Sequence, residues 1–279
     1  MSALHDLVRE DCLTVEPALI TRRLTAVVPA YRTGPAIVTS LRRLSAALDA
    51  TGLDYEVVVV ADGDLDAYRF ASTCASARVR VVGYQQNRGK GFALRYGIAA
   101  ATGELVTFVD ADMQIAPEEI GRMVKLLELY EADIVVGSKR HPMSRVDYPA
   151  FRRLQSWSYQ VLVRSLFRVN VRDTQTGLKV LRREVAADVL DVAVVKRFAF
   201  DLELLAIARR FGHRRIIEAP VTIDRAFETT TDLKAVRDVL QDTAAIAYRM
   251  YVRHWYDERH GRGLAELRAT TPAALLADA

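Results

Sequence analysis

Gly103–Gln114 reads GELVTFVDADMQ. An apolar run of strand length ends abruptly in two carboxylates, Asp110 and Asp112, with an amide, Gln114, two residues further on. On an extended backbone alternate side chains point the same way, so the spacing predicts that Asp110, Asp112 and Gln114 face one point beyond a strand tip. Three hard oxygen donors at such a point suit Mg²⁺ or Mn²⁺ rather than zinc, and an ion of that kind usually keeps positions open for substrate phosphates. A polar turn after a buried strand is written with the same letters, so the flanking sequence has to decide.

Working outward, β-branched apolar runs recur between helical patterns. Leu24–Pro29 (LTAVVP), Tyr55–Ala61 (YEVVVVA), Val79–Gly83, Leu105–Val109 and Asp133–Gly137 read as short buried strands. Ile37–Ala50, Leu65–Ala75, Gly91–Ala101 and Pro117–Tyr130 carry helical periodicity, the last opening on a proline and two acids, Glu118 and Glu119, suited to a first turn. This alternation predicts an α/β fold with a mostly parallel central sheet and helices on both faces. In such sheets ligands bind beyond the carboxyl ends of the strands. Three polar clusters fall there: Pro29-Ala30-Tyr31-Arg32, Asp62-Gly63-Asp64 and Asp110-Ala111-Asp112.

The rest of the chain sets bounds. Its 279 residues suffice for one large domain with an extension. The apolar and charged fractions, 51% and 27%, are those of an ordinary globular protein, and a net charge of +4 is too small to argue for nucleic acid. Cys12 and Cys74 lack metal-ligand spacing and fit a reducing cytosol. The N-terminus carries acids and lacks the apolar segment of a secretory signal. No run of about 18 apolar residues predicts a membrane-spanning helix. The histidines, including His141, His213, His254 and His260, show no clustered ligand spacing. The expected organisation is a lead-in at 1–22, a catalytic domain at 23–224, a C-terminal helical extension at 225–269 with one long helix over Leu233–His260, and a disordered tail at 270–279.

A set of motifs, in order, carries a resemblance. VVPAYR (Val27–Arg32), NRGKGFALRYGIAAATGE (Asn87–Glu104), FVDADMQ (Phe108–Gln114), GSKR (Gly137–Arg140), RDTQTGLKVLRRE (Arg172–Glu184) and FAFDLELL (Phe198–Leu205) resemble the GT-A glycosyltransferases of family 2, particularly the dolichyl- and polyprenyl-phosphate glucose or mannose synthases. The resemblance runs from about Leu24 to Ile223. It implies a metal-dependent inverting transferase that moves a hexose, glucose from UDP-glucose, to a polyprenyl phosphate at the cytoplasmic membrane face. Carried over residue by residue, Pro29, Tyr31, Asp62, Lys90, Asp110 and Ala111 would bind the nucleotide sugar, with Asp62 reading the base edge. Asp112 and Gln114 would hold Mg²⁺ or Mn²⁺. Lys139 or Arg140, with Arg153, would meet the acceptor phosphate, and Asp201 and Glu203 match acidic positions at the far side of the sugar pocket. Asp110, Asp112, Asp201 and Arg153 are the expected catalytic set. The sequence departs from the family at Arg32-Thr33 (usually Asn-Glu), at Ala61 (usually Asp) and at Glu228-Thr229-Thr230 (usually Gly-Ser-Lys), which bears on base selectivity and acceptor handling.

The residues leave alternatives open. Asp201 reads equally as a helix N-cap, and Lys90 as an exposed loop lysine. A phosphate acceptor, with a second pKa of about 6, needs no general base, whereas a soluble hydroxyl acceptor would need a carboxylate such as Asp201. Phe151–Val169 places Phe151, Leu154, Trp157, Val161, Leu162 and Leu166 at helical spacing beside Arg152, Arg153, Arg164 and Arg168. That is the pattern of an interfacial membrane helix, or of a core-packed helix with a basic face. Ala235–Tyr256 is open in the same way to lipid, to a second subunit in a homodimer, or to the main domain. A sugar nucleotidyltransferase would need a glycine-rich triphosphate loop, and Ala30-Tyr31-Arg32-Thr33-Gly34 is a poor one. No Gln-x-x-Arg-Trp motif supports a processive synthase.

Overall fold

The computed structural model describes residues 22–144, 150–195, 199–223 and 233–260, and within them every side chain except those of 150–158 and 233–236. The expectations for the lead-in up to Thr21 with Cys12, for Phe198, for Glu228–Thr230 and for the tail fall outside the described residues, as do those for the side chains of Arg153 and Trp157.

Seven strands form one sheet: β1 (Leu24–Ala30), β2 (Tyr55–Asp62), β3 (Val79–Tyr84), β4 (Leu105–Phe108), β5 (Ile134–Ser138), β6 (Lys179–Arg182) and β7 (Ile216–Pro220). Their order is β3-β2-β1-β4-β6-β5-β7. All pairings are parallel except those of β6, which runs antiparallel between β4 and β5. Strands β6 and β7 are additions to the five that the apolar runs predict. The apolar runs are continuous because both faces are covered. Val27, Val58, Val60, Val106, Phe108 and Val136 point into one buried cluster, and Ala26, Val28, Val57, Val59, Leu105 and Val135 into the other.

Helices α1 (Ala36–Asp49), α2 (Leu65–Ser72) and α4 (Glu119–Leu129) supply the second cluster. The first is closed by α3 (Lys90–Ala100), α5 (Ala150–Phe167), α6 (Arg183–Val192), α7 (Phe200–Arg210), α8 (Leu233–Tyr251) and α9 (Trp255–Arg259). Two expectations need correction. Helix α4 starts at Glu119, because Pro117 and Glu118 form the preceding turn and Ile120 N donates to Pro117 O at 3.1 Å. The long C-terminal helix is broken: Val252 N and Arg253 N both donate to Tyr248 O, and His254 takes a left-handed φ of 50° before α9 begins. Helix α5 divides its apolar residues between core and surface. Val163 and Phe167 enter the core, while Val161 and Leu162 are 48% and 37% exposed.

The connections reverse direction at β1. From β1 the chain moves to β2 and β3 on one side and then returns to β4 on the other, which opens a crevice between the tips of β1 and β4. Because β6 is antiparallel, its first residue lies at the carboxyl tips of its neighbours: Lys179 pairs with Phe108 of β4 and with Val136 of β5. The preceding loop, Thr174–Leu178, is thereby delivered to the same crevice.

Candidate active site

A cavity of about 700 Å³ opens at this crevice. Tyr31 after β1, Lys90 at the start of α3, Val109–Ile115 after β4, Lys139 after β5, Gln175 with Gly177 before β6, and Asp201 in α7 line it, with Ala111 alone standing back. Strand tips from four places in the sequence thus converge on one opening.

Asp110, Asp112 and Gln114 do share this cavity, but not by strand alternation. Strand β4 ends at Phe108, and the chain then turns, with Met113 N donating to Asp110 O at 3.0 Å and Met113 at a φ of 49°. The turn gathers the three side chains that an extended backbone was expected to align. Gln114 Nε2 donates to Asp112 Oδ2 at 2.9 Å, and Gln114 N to Asp112 Oδ1 at 3.3 Å. The two heads therefore meet at one place on the cavity wall. No cluster of three or more His, Cys, Asp or Glu capable of holding a metal occurs among the described residues. One carboxylate and one amide are nonetheless the sparse oxygen set that fits Mg²⁺ or Mn²⁺, which bind through one or two carboxylates plus substrate phosphates rather than in an all-protein cage.

Behind them lies an alternating chain of charge. Lys90 Nζ is 2.9 Å from Asp110 Oδ1 and 3.4 Å from Asp201 Oδ2, and Lys179 Nζ is 2.7 Å from Asp201 Oδ1. Lys90 is no loose surface lysine. Burial works against its charge, but Asp201 and Asp110 outweigh it and hold its pKa above the usual lysine value. It stands at the first position of α3, behind Gly89 at a φ of 88°. Asp201 is buried, which alone would raise its pKa, yet the two ammoniums hold it below the ordinary carboxylate value. Nor is it an N-cap, a position taken by Ala199. Asp201 thus lines the cavity with a lysine on each oxygen, a pairing that makes it a poor general base.

Glu203 is removed from the pocket. It is fully buried, accepting from Val194 N at 2.9 Å, Val195 N at 2.7 Å and the Tyr256 hydroxyl at 2.6 Å, and burial pushes its pKa up. It ties α9 to the loop before α7.

Asp62 is buried beside the loop before α3. Only 3% exposed, it accepts from Arg88 N at 2.7 Å, Gly89 N at 2.9 Å and Asn87 Nδ2 at 3.1 Å. Its oxygens hold the loop that presents Lys90. Pro29 and Ala111 support the cavity without lining it, whereas Tyr31, 43% exposed, stands at its mouth with the Arg32 guanidinium 5.1 Å from its ring centroid.

Of the expected acceptor cations, Lys139 lines the cavity. Burial lowers its pKa, partly offset by Asp173, Asp110 and Asp112. Arg140 turns away into a small adjoining cavity, where its Nη1 donates to Arg172 O at 2.9 Å beside Tyr159 and Gln175. Arg153 lies in α5, its side chain outside the described residues.

Sequence reasoning gave no role to Lys179, Gln175 or Gly177. The signal was present in Lys179 at the head of the apolar run KVLR. A lysine inside a buried strand must meet a counter-charge.

Comparison with known proteins defines the class. The Glycosyl transferase family 2 model matches residues 25–190. The chain belongs to that family. Dolichyl-phosphate beta-glucosyltransferase of Homo sapiens is 32% identical over 208 residues, 68% of this chain and 64% of that protein. Dodecaprenyl-phosphate galacturonate synthase of Rhizobium johnstonii is 30% identical over 200 residues, 66% of this chain and 57% of that protein. The chain therefore spans less than two thirds of the length of these relatives. Among solved structures, glucosyl-3-phosphoglycerate synthase from Mycobacterium tuberculosis in complex with Mn²⁺, uridine-diphosphate and phosphoglyceric acid superposes with a TM-score of 0.62 over 85% of this chain and 81% of that one, at 21% identity. The fold is GT-A, as the motifs imply.

Proposed function

We propose that the protein is a metal-dependent, inverting glycosyltransferase that moves glucose from UDP-glucose to a polyprenyl phosphate. The observation that carries this reading is the crevice between β1 and β4, whose lining brings together Asp112 with Gln114 and the Lys90–Asp110 pair. Mg²⁺ or Mn²⁺ bound by Asp112 and Gln114 would neutralise charge on the departing diphosphate, acting as Lewis acid and template. The chain's own groups do the rest. The α3 N-terminus and Lys90 offer amides and an ammonium to phosphate, and Tyr31 offers a face to the base. Lys139 supplies a cation on the acceptor side.

An oxygen of the acceptor phosphate attacks the anomeric carbon as the bond to the nucleoside diphosphate breaks. A single displacement of this kind inverts the configuration. The acceptor is already largely dianionic at pH 7 and gives up no proton. The paired state of Asp201 agrees with this reading, since a hydroxyl acceptor would need a free base. The named activities of the relatives at about 30% identity point to the same acceptor class.

No helix among the described residues is long and apolar enough to cross a membrane. The exposed Val161 and Leu162 on α5, with Leu240, Tyr248 and Tyr251 on α8, support a side-on contact with the cytoplasmic membrane face, where such an acceptor would be presented. Calorimetric titration of UDP with and without Mn²⁺, on the wild type and Asp112→Ala, tests the site. Metal-dependent binding that Asp112→Ala abolishes supports the proposal, and UDP binding indifferent to both metal and variant sinks it.

A further inference from the structure

Lys179 is a fully buried lysine for which the transfer reaction has no direct use. It enters from the antiparallel strand β6, between Phe108 and Val136 in register, on the sheet face that α7 covers. Its ammonium has two partners: the carbonyl of Thr176 and, at 2.7 Å, Asp201 Oδ1. The other oxygen of Asp201 faces Lys90 at 3.4 Å, and Lys90 is nearer to Asp110, at 2.9 Å.

We infer that Lys179 is a positioning residue: by occupying Asp201 at close range, it keeps the Lys90 ammonium on Asp110 at the donor wall of the cavity. A buried carboxylate must be neutralised by whatever cation can reach it. With Lys179 in place, that demand is met at 2.7 Å from β6, and Lys90 is shared between Asp201 at 3.4 Å and Asp110 at 2.9 Å. Without Lys179, the carboxylate of Asp201 has Lys90 as its remaining ion-pair partner among the described residues. Lys90 is anchored at the start of α3 by its backbone, but its flexible four-carbon stem lets the ammonium move from Asp110 to Asp201. Lys179 thus acts through Asp201 and Lys90 and does not touch the donor. The functional consequence rests on the reading above that Lys90 serves the donor diphosphate, whereas the positional claim does not.

The test combines a crystal structure with a double-mutant cycle on Mn²⁺–UDP affinity. In crystals of Lys179→Met, the Lys90 ammonium should lie on Asp201 and more than ~4 Å from Asp110, beyond ion-pair range. An ammonium still on Asp110 overturns the proposal, whatever nucleotide the protein binds. In solution Lys179→Met should weaken Mn²⁺–UDP binding by about tenfold, and Lys90→Met by as much or more. The double variant should match Lys90→Met within about twofold, because both substitutions remove one function. A merely structural role for Lys179 would instead multiply the two losses, which overturns the proposal. Lys179→Met with Asp201→Asn removes the inner pair together, so this variant should bind more tightly than Lys179→Met alone. Equal or weaker binding overturns the proposal. Should Lys179→Met fail to fold, the charge-neutral pair is compared with Lys90→Met and must bind more tightly for the proposal to stand. If the wild type binds no nucleoside diphosphate, the functional reading falls and the crystallographic outcome still decides the role of Lys179.

Discussion

Gly177→Ala is the smallest change that should disable the site while sparing the fold. A Cβ at Gly177 would overlap Asp110 Oδ2 and fall 2.5 Å from Asp110 Cγ and 2.9 Å from Asp110 Oδ1. Ordinary contacts between carbon atoms lie at about 3.5–4.0 Å, so the carboxyl group must retreat by roughly 1 Å. The Lys90–Asp110 pair, now at 2.9 Å, would then stretch past hydrogen-bond length. Displacing a reacting constellation by about 1 Å costs on the order of 100-fold in rate, or roughly 2.7 kcal/mol of transition-state stabilisation. The cost to folding should be small, because what moves is the end of a side chain that is 45% exposed rather than backbone. The assay is kcat/KM for donor turnover with Mn²⁺, beside a thermal melt of the same preparation. The expected outcome is about a 100-fold loss with Tm lowered by no more than about 3 °C. A variant that keeps kcat/KM within about threefold at unchanged Tm would refute the claim that Asp110 works from its observed position.

Other substitutions probe the framework. Gly63→Ala should destabilise by about 2–4 kcal/mol in urea titrations, since Gly63 has a φ of +65° and a Cβ there meets the backbone of Gln86 and Asn87. An unchanged midpoint would contradict this packing of the loop that presents Lys90. Tyr256→Phe strips a donor from the buried Glu203 and should cost about 1–3 kcal/mol, read as a lowered Tm with little change in KM. Asp201→Asn should cost about 3–5 kcal/mol at neutral pH by leaving the buried Lys179 ammonium without its carboxylate. Because the folded-state pKa of Asp201 is depressed, its stabilisation is full above the ordinary value of 3.8 and drains as pH falls through the lower folded value. The stability gap between wild type and Asp201→Asn should therefore narrow below that pH in chemical denaturation. A gap that stays constant would show that Asp201 carries no such charge-linked stability.

The parallel sheet was legible because its signal is local. Runs such as VVVV at Val57–Val60 can be buried on both faces only in a strand covered by helices on each side. Strand β6 escaped that reading because it is four residues long and its first side chain is a lysine, a residue that strand patterns count against burial. Its acceptability depends on Asp201, a partner 22 residues away that no periodicity reveals. Asp110, Asp112 and Gln114 were found for an incomplete reason. Their spacing suggested an extended strand, whereas a turn with Met113 in the left-handed region brings them together. Asp62 and Asp201 were legible as acids near the site, but not as acids whose oxygens are already engaged. Hydrogen bonds from Arg88 N and Gly89 N depend on how a loop closes, which the letters do not encode. The break in the C-terminal helix is similar: His254 carries no helix-breaking chemistry of its own, and α9 turns because Tyr256 finds Glu203 in the core.

The central claim is that this crevice transfers a sugar from a nucleoside diphosphate to a lipid phosphate with the help of a divalent ion. It is tested most directly by following UDP and GDP release from a panel of nucleotide sugars, with Mn²⁺ or Mg²⁺, in the presence and absence of a short polyprenyl phosphate. The account predicts UDP release from UDP-glucose that requires both the metal and the lipid phosphate and is matched by an equal amount of glycolipid. Turnover indifferent to the lipid phosphate, or undiminished after chelation of the metal, would contradict it.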